Sequence, residues 1–551
     1  MTIKLGTHQP SQPSWLPKPV KVLGLLILGS IAYPLPFLYF KLGILAFFST
    51  AFWLIAILET EDLRPMAGLT VFAALVYSSI LVGTPWLRNF SLQAWLIAPL
   101  FYVPLFLPIF VLIRLSRAVM PHLPLFLMWP IIFTGAECLR IRLSPGEIPL
   151  LQLGTAIARF PALIQIADIT GTSGLTFLLC MSAGLCVDMY VRMTRSTSHL
   201  KRSTLITGVS CLAVLSVAVL WYGYLEDTTR SFKYGPKVQV VQPNVHGWPG
   251  LQRSESRFRE IKQVTLQMKG SDVDLIVWPE NSFIQSQSDN RGLTDSIATE
   301  IKVLTLQLGA PLLVDGPVIQ VGGQLRTHRA SLIHFDGRID FYEKSVLVPW
   351  SEYIPFQETL HRVNQRWADG FARFVISRNP NLTNTIPGSA PTSSFALQDK
   401  QGRTSNFRAP ICYEVLNSRL LNQWYRTLPS NEHSAFFLVN PVNEVLLGPT
   451  IHEQTLSISM LRAVEGRVSI IRAANNGISG AIDPNGHVYA SLTGSGHNFL
   501  TDGTGTVYAS AIFDKRFITV YARWGDWLPV SCLVLYFCLL ASAGLKRRLQ
   551  R

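Results

Sequence analysis

The sequence predicts a two-part chain, a polytopic α-helical membrane domain of about eight spans joined to an external α/β sandwich domain. Three observations carry this. Charged residues make up only 15% of the 551, against roughly 25% in an ordinary soluble protein, while hydrophobic residues reach 48%. Apolar segments near the ~20-residue length that crosses a bilayer recur through the first 224 residues and return once near the other end. Between them lies a polar interval, 225–525, in which short β-rich runs alternate with helix-like stretches. This composition excludes a disordered chain and a purely soluble one.

The predicted spans are 22–33, 38–58, 66–83, 93–113, 122–135, 170–190 and 204–224, with an eighth at 527–545. The first lacks a small-residue cleavage site and is followed by further spans, so it reads as a span and not a signal peptide. Basic residues orient the set. Lys18 and Lys21 precede the first span, Arg114 and Arg117 follow the fourth, and Arg192, Arg195, Lys201 and Arg202 follow the sixth. Lys546, Arg547, Arg548 and Arg551 follow the eighth. With eight spans all four groups share one side, which the positive-inside rule makes the cytoplasm, along with both termini. The polar interval and the loop 138–168 then lie outside, and the loop is expected to be buried or lipid-facing. The expected division is 1–224 for seven spans, 225–525 for the external domain, and 526–551 for the last span and basic tail. A net charge of +14 raises nucleic acid as a partner, but the excess lies beside the spans, so the bilayer is the expected partner and nucleic acid is not.

Within 225–525, strands are expected at 238–241, 273–278, 311–314, 409–413, 435–439 and 468–472, and helices at 253–268, 294–308 and 453–465. Residues 331–335 and 339–342 flank Asp336-Gly337, a hairpin signature. From 357 to 394 the pattern lapses, as in lids and binding loops. Its Trp367, Phe371 and Phe374 are candidates to dip into lipid.

Of 7 cysteines, Cys412 is the one in polar sequence, so neither a disulfide framework nor a CxxC metal pair is expected. His452-Glu453 begins like HExxH, but position 456 is Leu; no metal and no cofactor are expected. Asn381-Leu382-Thr383 is a formal glycosylation triplet, and 483–486 (DPNG) reads as a turn. Three chemistry-bearing residues end strand-like runs: Glu280 after 277–279, Lys344 after 341–343, and Cys412 after 409–411. Taken singly, a lone cysteine packs as a small hydrophobe and the other two as surface charges. Together they are complete for acyl transfer, since a thiol needs a base and a cation can hold the charge of a thiolate or an oxyanion.

At these residues the sequence resembles the nitrilase (carbon–nitrogen hydrolase) superfamily, and its flanks narrow the resemblance to the apolipoprotein N-acyltransferase family. Residues 342–355 (YEKSVLVPWSEYIP) resemble that family's YxKxxLVPFGEYxP, 241–244 its VQPN, 412–414 its CYE, and 472–477 (RAANNG) its R(A/S)xNNG. Tyr521 and Gly525-Asp526-Trp527 match the approach to its last span; 137–140 (ECLR) and 150–154 (LLQLG) resemble its ExLR and LQLG elements. The resemblance implies a nitrilase-like αββα sandwich outside the bacterial cytoplasmic (inner) membrane, on the periplasmic side. It implies Glu280 as general base, Lys344 as oxyanion donor and Cys412 as nucleophile, with Glu352 balancing Lys344 and Glu414 supporting the nucleophile. Trp350, Tyr353, Trp367 and Asn443 are the substrate-contact candidates. The implied partners are a phospholipid acyl donor and a diacylglyceryl lipoprotein acceptor, linked by a cysteine thioester.

Two departures bear on substrate. The family's Phe-Gly before the glutamate is Trp350-Ser351 here, which tests whether that turn needs a positive φ. Its Asn-Asp-x-Trp-Phe-Gly is Asn443-Glu444-Val445-Leu446-Leu447-Gly448, aliphatic where aromatics are usual. The residues themselves leave two other readings open, a membrane-bound amidase with water as acceptor and a non-catalytic membrane scaffold or transporter. Joint retention of the three residues and the scarcity of charge within the spans count against the second.

Overall fold

The computed structural model describes residues 17–89, 92–194, 200–229, 233–245, 254–266, 272–282, 285–286, 295–319, 326–378, 385–388, 394–427, 436–445, 447–489, 500–501, 505–513 and 518–549. Seven described helices are long and apolar enough to cross a membrane: Pro19–Leu38, Phe40–Glu59, Pro65–Gly83, Trp95–Val119, Thr172–Thr194, Arg202–Thr229 and Trp527–Arg548. The segment expected at 122–135 differs. It is the helix Leu125–Leu143, which carries Glu137, Arg140 and Arg142 and has 14 of its 19 residues buried. Neighbouring helices, not lipid, cover this one, which is how it accommodates the charges.

Polar contacts define the two ends of the bundle. At one end Lys21 pairs with Glu59 at 3.0 Å, Arg114 donates to the Thr60 carbonyl, and Arg547 donates to the Ala118 carbonyl. There the Asp188 carboxylate also accepts the Leu125 and Phe126 N–H groups, satisfying donors that a helix start leaves open. At the other end Arg142 donates to Asp526 at 2.8 Å, and Glu465 of the sheet domain accepts the Thr172 N–H at 2.9 Å. The helix Leu125–Leu143 therefore runs from one end of the bundle to the other, antiparallel to Thr172–Thr194. The loop 138–168 is buried at Leu151, Leu153, Ala156, Ile157 and Ile164.

The interval between the last two long helices contains fourteen described strands: β1 Lys233–Gln242, β2 Leu275–Val277, β3 Gln285–Ser286, β4 Leu312–Ile319, β5 Arg326–Ile333, β6 Ile339–Glu343, β7 Phe395–Gln398, β8 Thr404–Arg408, β9 Phe436–Val442, β10 Ile470–Ala474, β11 Ile478–Ile482, β12 Val488–Tyr489, β13 Leu500–Thr501 and β14 Gly505–Phe513. One sheet has the order β14-β1-β2-β4-β5-β6 with β3 beside β4; the other runs β12-β11-β10-β9-β8-β7 with β13 beside β11. Alternation explains the layering. Val238, Val240, Leu275, Val277 and Leu313 face Phe407, Phe437, Val439 and Ile471 across the sandwich. Val241, Ile276, Leu312 and Val314, one position out of phase, pack on the helices Ser254–Leu266 and Asp295–Leu308. The helices Ser418–Thr427 and Pro449–Gly466 cover the second sheet, giving helix, sheet, sheet, helix. Leu461 and Val464 of Pro449–Gly466 belong to the core of the membrane bundle, so this helix is packed from both sides.

Two expectations are corrected. The run 409–413 is not a strand. β8 stops at Arg408, and Cys412–Leu416 forms a turn of 3-10 helix. The lapse at 357–394 contains the helices Gln357–Val363 and Gln365–Arg378, with Ala368 and Ala372, four apart, buried on one side. The side chains of Phe371 and Phe374 and the triplet 381–383 lie outside the described residues. The hairpin at Asp336-Gly337 forms as read, with Gly337 at φ +88° and Ile333 paired with Ile339.

Candidate active site

Glu280 stands just past the end of β2. The Trp278 indole anchors the exit by packing on Phe258 and donating to Thr265 at 3.0 Å. Asn281 takes φ +62° and donates its N–H to the Asp315 carboxylate, while the Ser282 N–H bonds the Asp315 carbonyl at 2.9 Å. Lys344 continues β6, its N–H bonded to the His328 carbonyl at 2.9 Å. Its ammonium, 0% exposed, lies 3.2 Å from Glu280 Oε1 and 2.6 Å from Glu352 Oε1. The other Glu352 oxygen accepts the Val348 N–H at 2.8 Å, which ties the 345–353 turn around the lysine.

Cys412 opens the turn after β8 at φ +50°, a left-handed conformation that a side chain adopts only under constraint. Asn440 of β9 supplies part of that constraint, donating to the Pro410 and Cys412 carbonyls at 2.6 and 3.1 Å. The sulfur meets the Glu280 carboxylate and the Asn443 backbone N–H. The structure thus brings Glu280, Lys344, Glu352 and Cys412 into one cluster, the three charged side chains buried and Cys412 half-buried.

Glu414 does not share the sulfur's face. The turn swings it away, and its carboxylate accepts from the N–H groups of Ser345, Val346 and Ile411 and the hydroxyls of Tyr342 and Ser345. It clasps the cysteine turn to the lysine segment. Among the substrate-contact candidates, the Trp350 ring lies 5.0 Å from that of Phe101 on the helix Leu92–Val119. Tyr353 is half-buried, and Trp367 is 69% exposed on its helix. The Asn443 side chain is engaged by Asn475 at 3.1 Å; its backbone, not its amide, faces the sulfur. At the Trp350-Ser351 departure the positive φ falls on Trp350, at +68°, and not on Ser351. In the second departure Leu446 lies outside the described residues, and Asn89 of the bundle donates to the Leu447 carbonyl at 3.0 Å.

Electrostatics follow from burial. Burial pushes the Cys412 thiol well above its ordinary value, and the Glu280 carboxylate adds to this against the pull of Lys344, so the resting sulfur is a thiol. Burial also lifts Glu280, making it a stronger base than a solvated carboxylate. Burial opposes the charge on Lys344, but Glu352 and Glu280 outweigh it and hold the ammonium. Burial opposes Glu352 too, yet Lys344 and His328 keep it below the usual carboxylate range.

Sequence reasoning missed Asp315 and His328, which lie behind Glu280. One oxygen or nitrogen from each of the three falls within 4.8 Å of the others, and all are buried. Glu280 of this group is also paired with Lys344 at 3.2 Å, so the three join the ion-pair network around the lysine. It also missed Arg467. This arginine docks the sheet domain to the bundle through Asp168 at 2.8 Å and also donates to Asn485 of its own domain at 2.9 Å, whose carbonyl accepts from Gln165 of the bundle, which gives the 483–486 turn a second role.

The chain is similar to known proteins over most of its length. A family model described as the apolipoprotein N-acyltransferase N-terminal domain matches residues 29–185. The apolipoprotein N-acyltransferase of Geobacter metallireducens is 27% identical over 437 residues, 77% of each chain. Apolipoprotein N-acyltransferase 2 of Treponema denticola is 26% identical over 400 residues, 70% of each chain. A solved carbon–nitrogen hydrolase superfamily protein from Xanthomonas campestris is similar with a TM-score of 0.35 and 12% identity, covering 51% of this chain and 91% of its own. Matches of 400 residues and more are too long for either the helical bundle or the two-sheet domain alone, so the similarity to apolipoprotein N-acyltransferases extends over both parts of the chain.

Proposed function

We propose that this membrane enzyme N-acylates apolipoproteins, moving an acyl chain from a membrane phospholipid through a thioester on Cys412 to the α-amino group of an S-diacylglyceryl cysteine. One observation carries the reading. Side chains from three distant segments converge as Glu280, Lys344 and Cys412, with the lysine charged and the sulfur within reach of a base.

In the first step Glu280 takes the thiol proton as the sulfur attacks an ester carbonyl. A carbon–sulfur bond forms, and Lys344 and the Asn443 N–H face the developing oxyanion. Collapse breaks the ester carbon–oxygen bond, and Glu280 returns its proton to the departing lysophospholipid. In the second step the acceptor amine attacks the thioester. Glu280 removes a proton from nitrogen and gives it to sulfur, leaving an amide and a restored thiol. A thiol that stays protonated at rest suits this order, because the nucleophile appears only when base and carbonyl are both in place.

The long apolar helices hold the site where both lipid substrates reside. Exposed Leu96, Leu100 and Phe101 lie on the helix whose Phe101 meets Trp350, giving acyl chains an apolar route to the lysine turn. Phe356, Val363 and Trp367 are exposed along the helices after that turn and would enter the lipid surface. We place the sheet domain outside the inner membrane and the basic end of the bundle in the cytoplasm, with Leu125–Leu143 as an eighth crossing.

The test is incubation with acyl-labelled phospholipid without acceptor. Label on Cys412 that hydroxylamine releases is expected, with its passage to a diacylglyceryl-cysteine peptide once that is added. Label that persists in Cys412→Ala, or release only as free fatty acid, would overturn the reading.

A further inference from the structure

His328 and Asp315 are buried titratable groups that the acyl transfer as written does not use. Their exposures are 3% and 0%. They sit on adjacent strands, β5 and β4, with His328 registered opposite Pro317 and Asp315 two residues before it, so alternation puts both on one face. His328 Nδ1 is 3.9 Å from Asp315 Oδ1. Both residues are built into the catalytic backbone. The His328 carbonyl accepts the Lys344 N–H, and Asp315 accepts the N–H groups of Asn281 and Ser282, which fix the turn that presents Glu280. Yet His328 Nδ1 and Asp315 Oδ2 have no hydrogen-bond partner among the described residues. Two buried polar atoms left so close together are costly unless opposite charge compensates them.

The charge count points the same way. The groups facing His328 are Asp315 on β4, Glu280 after β2, and Glu352 and Lys344 after β6. Three carboxylates thus crowd a single ammonium, and a cation at position 328 halves the imbalance. We propose that His328, backed by Asp315, is a positioning residue for the acyl transfer, an imidazolium set against Glu280 that holds this base ionised and ready for the thiol proton. The inference rests on the reading of Glu280 as general base. Burial disfavours the charged ring, but Asp315 and Glu352 outweigh it and raise His328 above its ordinary value. In return His328 opposes the burial that lifts Glu280.

The experiment is the pH dependence of hydroxylamine-labile acyl label on Cys412, in full-length protein with labelled phospholipid. In His328→Gln, loss of the positive charge should move the acid limb about one pH unit higher. In His328→Gln/Asp315→Asn, where one charge of each sign is gone, the limb should return toward the wild-type position. A limb unmoved in His328→Gln, or equally displaced in the double variant, would overturn the proposal. Should His328→Gln not accumulate, His328→Asn poses the same question with a smaller amide. Failure of the underlying reading is distinguishable, because wild-type protein would then carry no such label at any pH.

Discussion

The Lys344 ammonium and the Glu352 carboxylate are 2.6 Å apart, with the two side chains 0% and 6% exposed. Glu280 stands farther from the same ammonium, at 3.2 Å. This asymmetry divides the work. Glu352 takes the nearer place on the lysine, so Glu280 is held by the longer of the two ion pairs and keeps more of the basicity that burial gives it.

Replacing Glu352 by Gln should therefore do two things. Removing one member of a buried pair costs about 3–5 kcal/mol, seen as a lowered thermal midpoint. The lysine should also draw Glu280 closer and weaken it as a base, reducing the thioester formation rate by at least about tenfold. Equal label in Glu352→Gln and wild type, at a temperature where both are folded, would contradict this division.

The two carboxylates also oppose each other in how stability depends on pH. Glu352 is depressed in the fold, so its contribution is present above the unfolded carboxylate value and lost as pH falls through the folded one. Glu280 is raised, so ionising it within the fold removes stability as pH rises from the unfolded value through the folded one. Thermal midpoints measured downward from pH 7 should fall less steeply in Glu352→Gln than in wild type. They should fall more steeply in Glu280→Gln.

Glu280→Gln separates base catalysis from thiol acidity. It should reduce phospholipid-derived label about 10²-fold or more, the contribution of a positioned base. Because the carboxylate also raises the Cys412 thiol, its removal should speed alkylation of Cys412 by iodoacetamide at alkaline pH. Peptide mapping isolates this cysteine from the exposed Cys211 and Cys538. Loss of both reactivities together would mean that Glu280 is needed for structure and not as a base.

How much of this was readable in sequence depended on range. Glu280 and Lys344 end strand-like runs, and the motifs around Cys412 carry the family resemblance, so the three could be named together before their meeting was visible. The role of Glu414 was not readable, because only the left-handed backbone at Cys412 turns residue 414 off the sulfur's face. The β1–β14 pairing joins Gln242 to Gly505, and nothing local announces so distant a partner. Asp315 and His328 were missed for the same reason, since each is unremarkable on its own strand. The helix Leu125–Leu143 reads as an ordinary span in sequence, because its apolar first half is visible there while the neighbours that shelter Glu137 and Arg140 are not.

Glu414 makes a prediction of its own. Its loss leaves the buried N–H of Ile411 and the part-buried N–H groups of Ser345 and Val346 without their acceptor, at about 1–3 kcal/mol for a fully buried donor. Glu414→Ala should therefore lower the thermal midpoint strongly and slow labelling. Glu414→Gln keeps one acceptor oxygen and should fall between Ala and wild type in both measurements. A Gln variant as stable as wild type but inactive would point to a direct chemical role in place of a clasp.

Arg467 tests whether the two parts of the chain are one machine. Its guanidinium meets the Asp168 carboxylate through Nε at 3.0 Å and a terminal nitrogen at 2.8 Å, and it also donates to Asn485. The arginine side chain is 1% exposed and the aspartate 4%, so cutting this contact strands a buried charge. Arg467→Ala should loosen the seam between the 138–168 loop and the 483–486 turn, read as faster hydrogen exchange in both segments. Exchange in β9 and β10 should hardly change. Arg467→Lys should rescue little, because a point charge cannot reproduce a forked contact. Asp168→Asn with Arg467→Ala should cost less than the two single changes added together, since both remove one interaction. If instead the double variant is additive and exchange rises only in the turn, the arginine serves its own domain and the seam is held elsewhere.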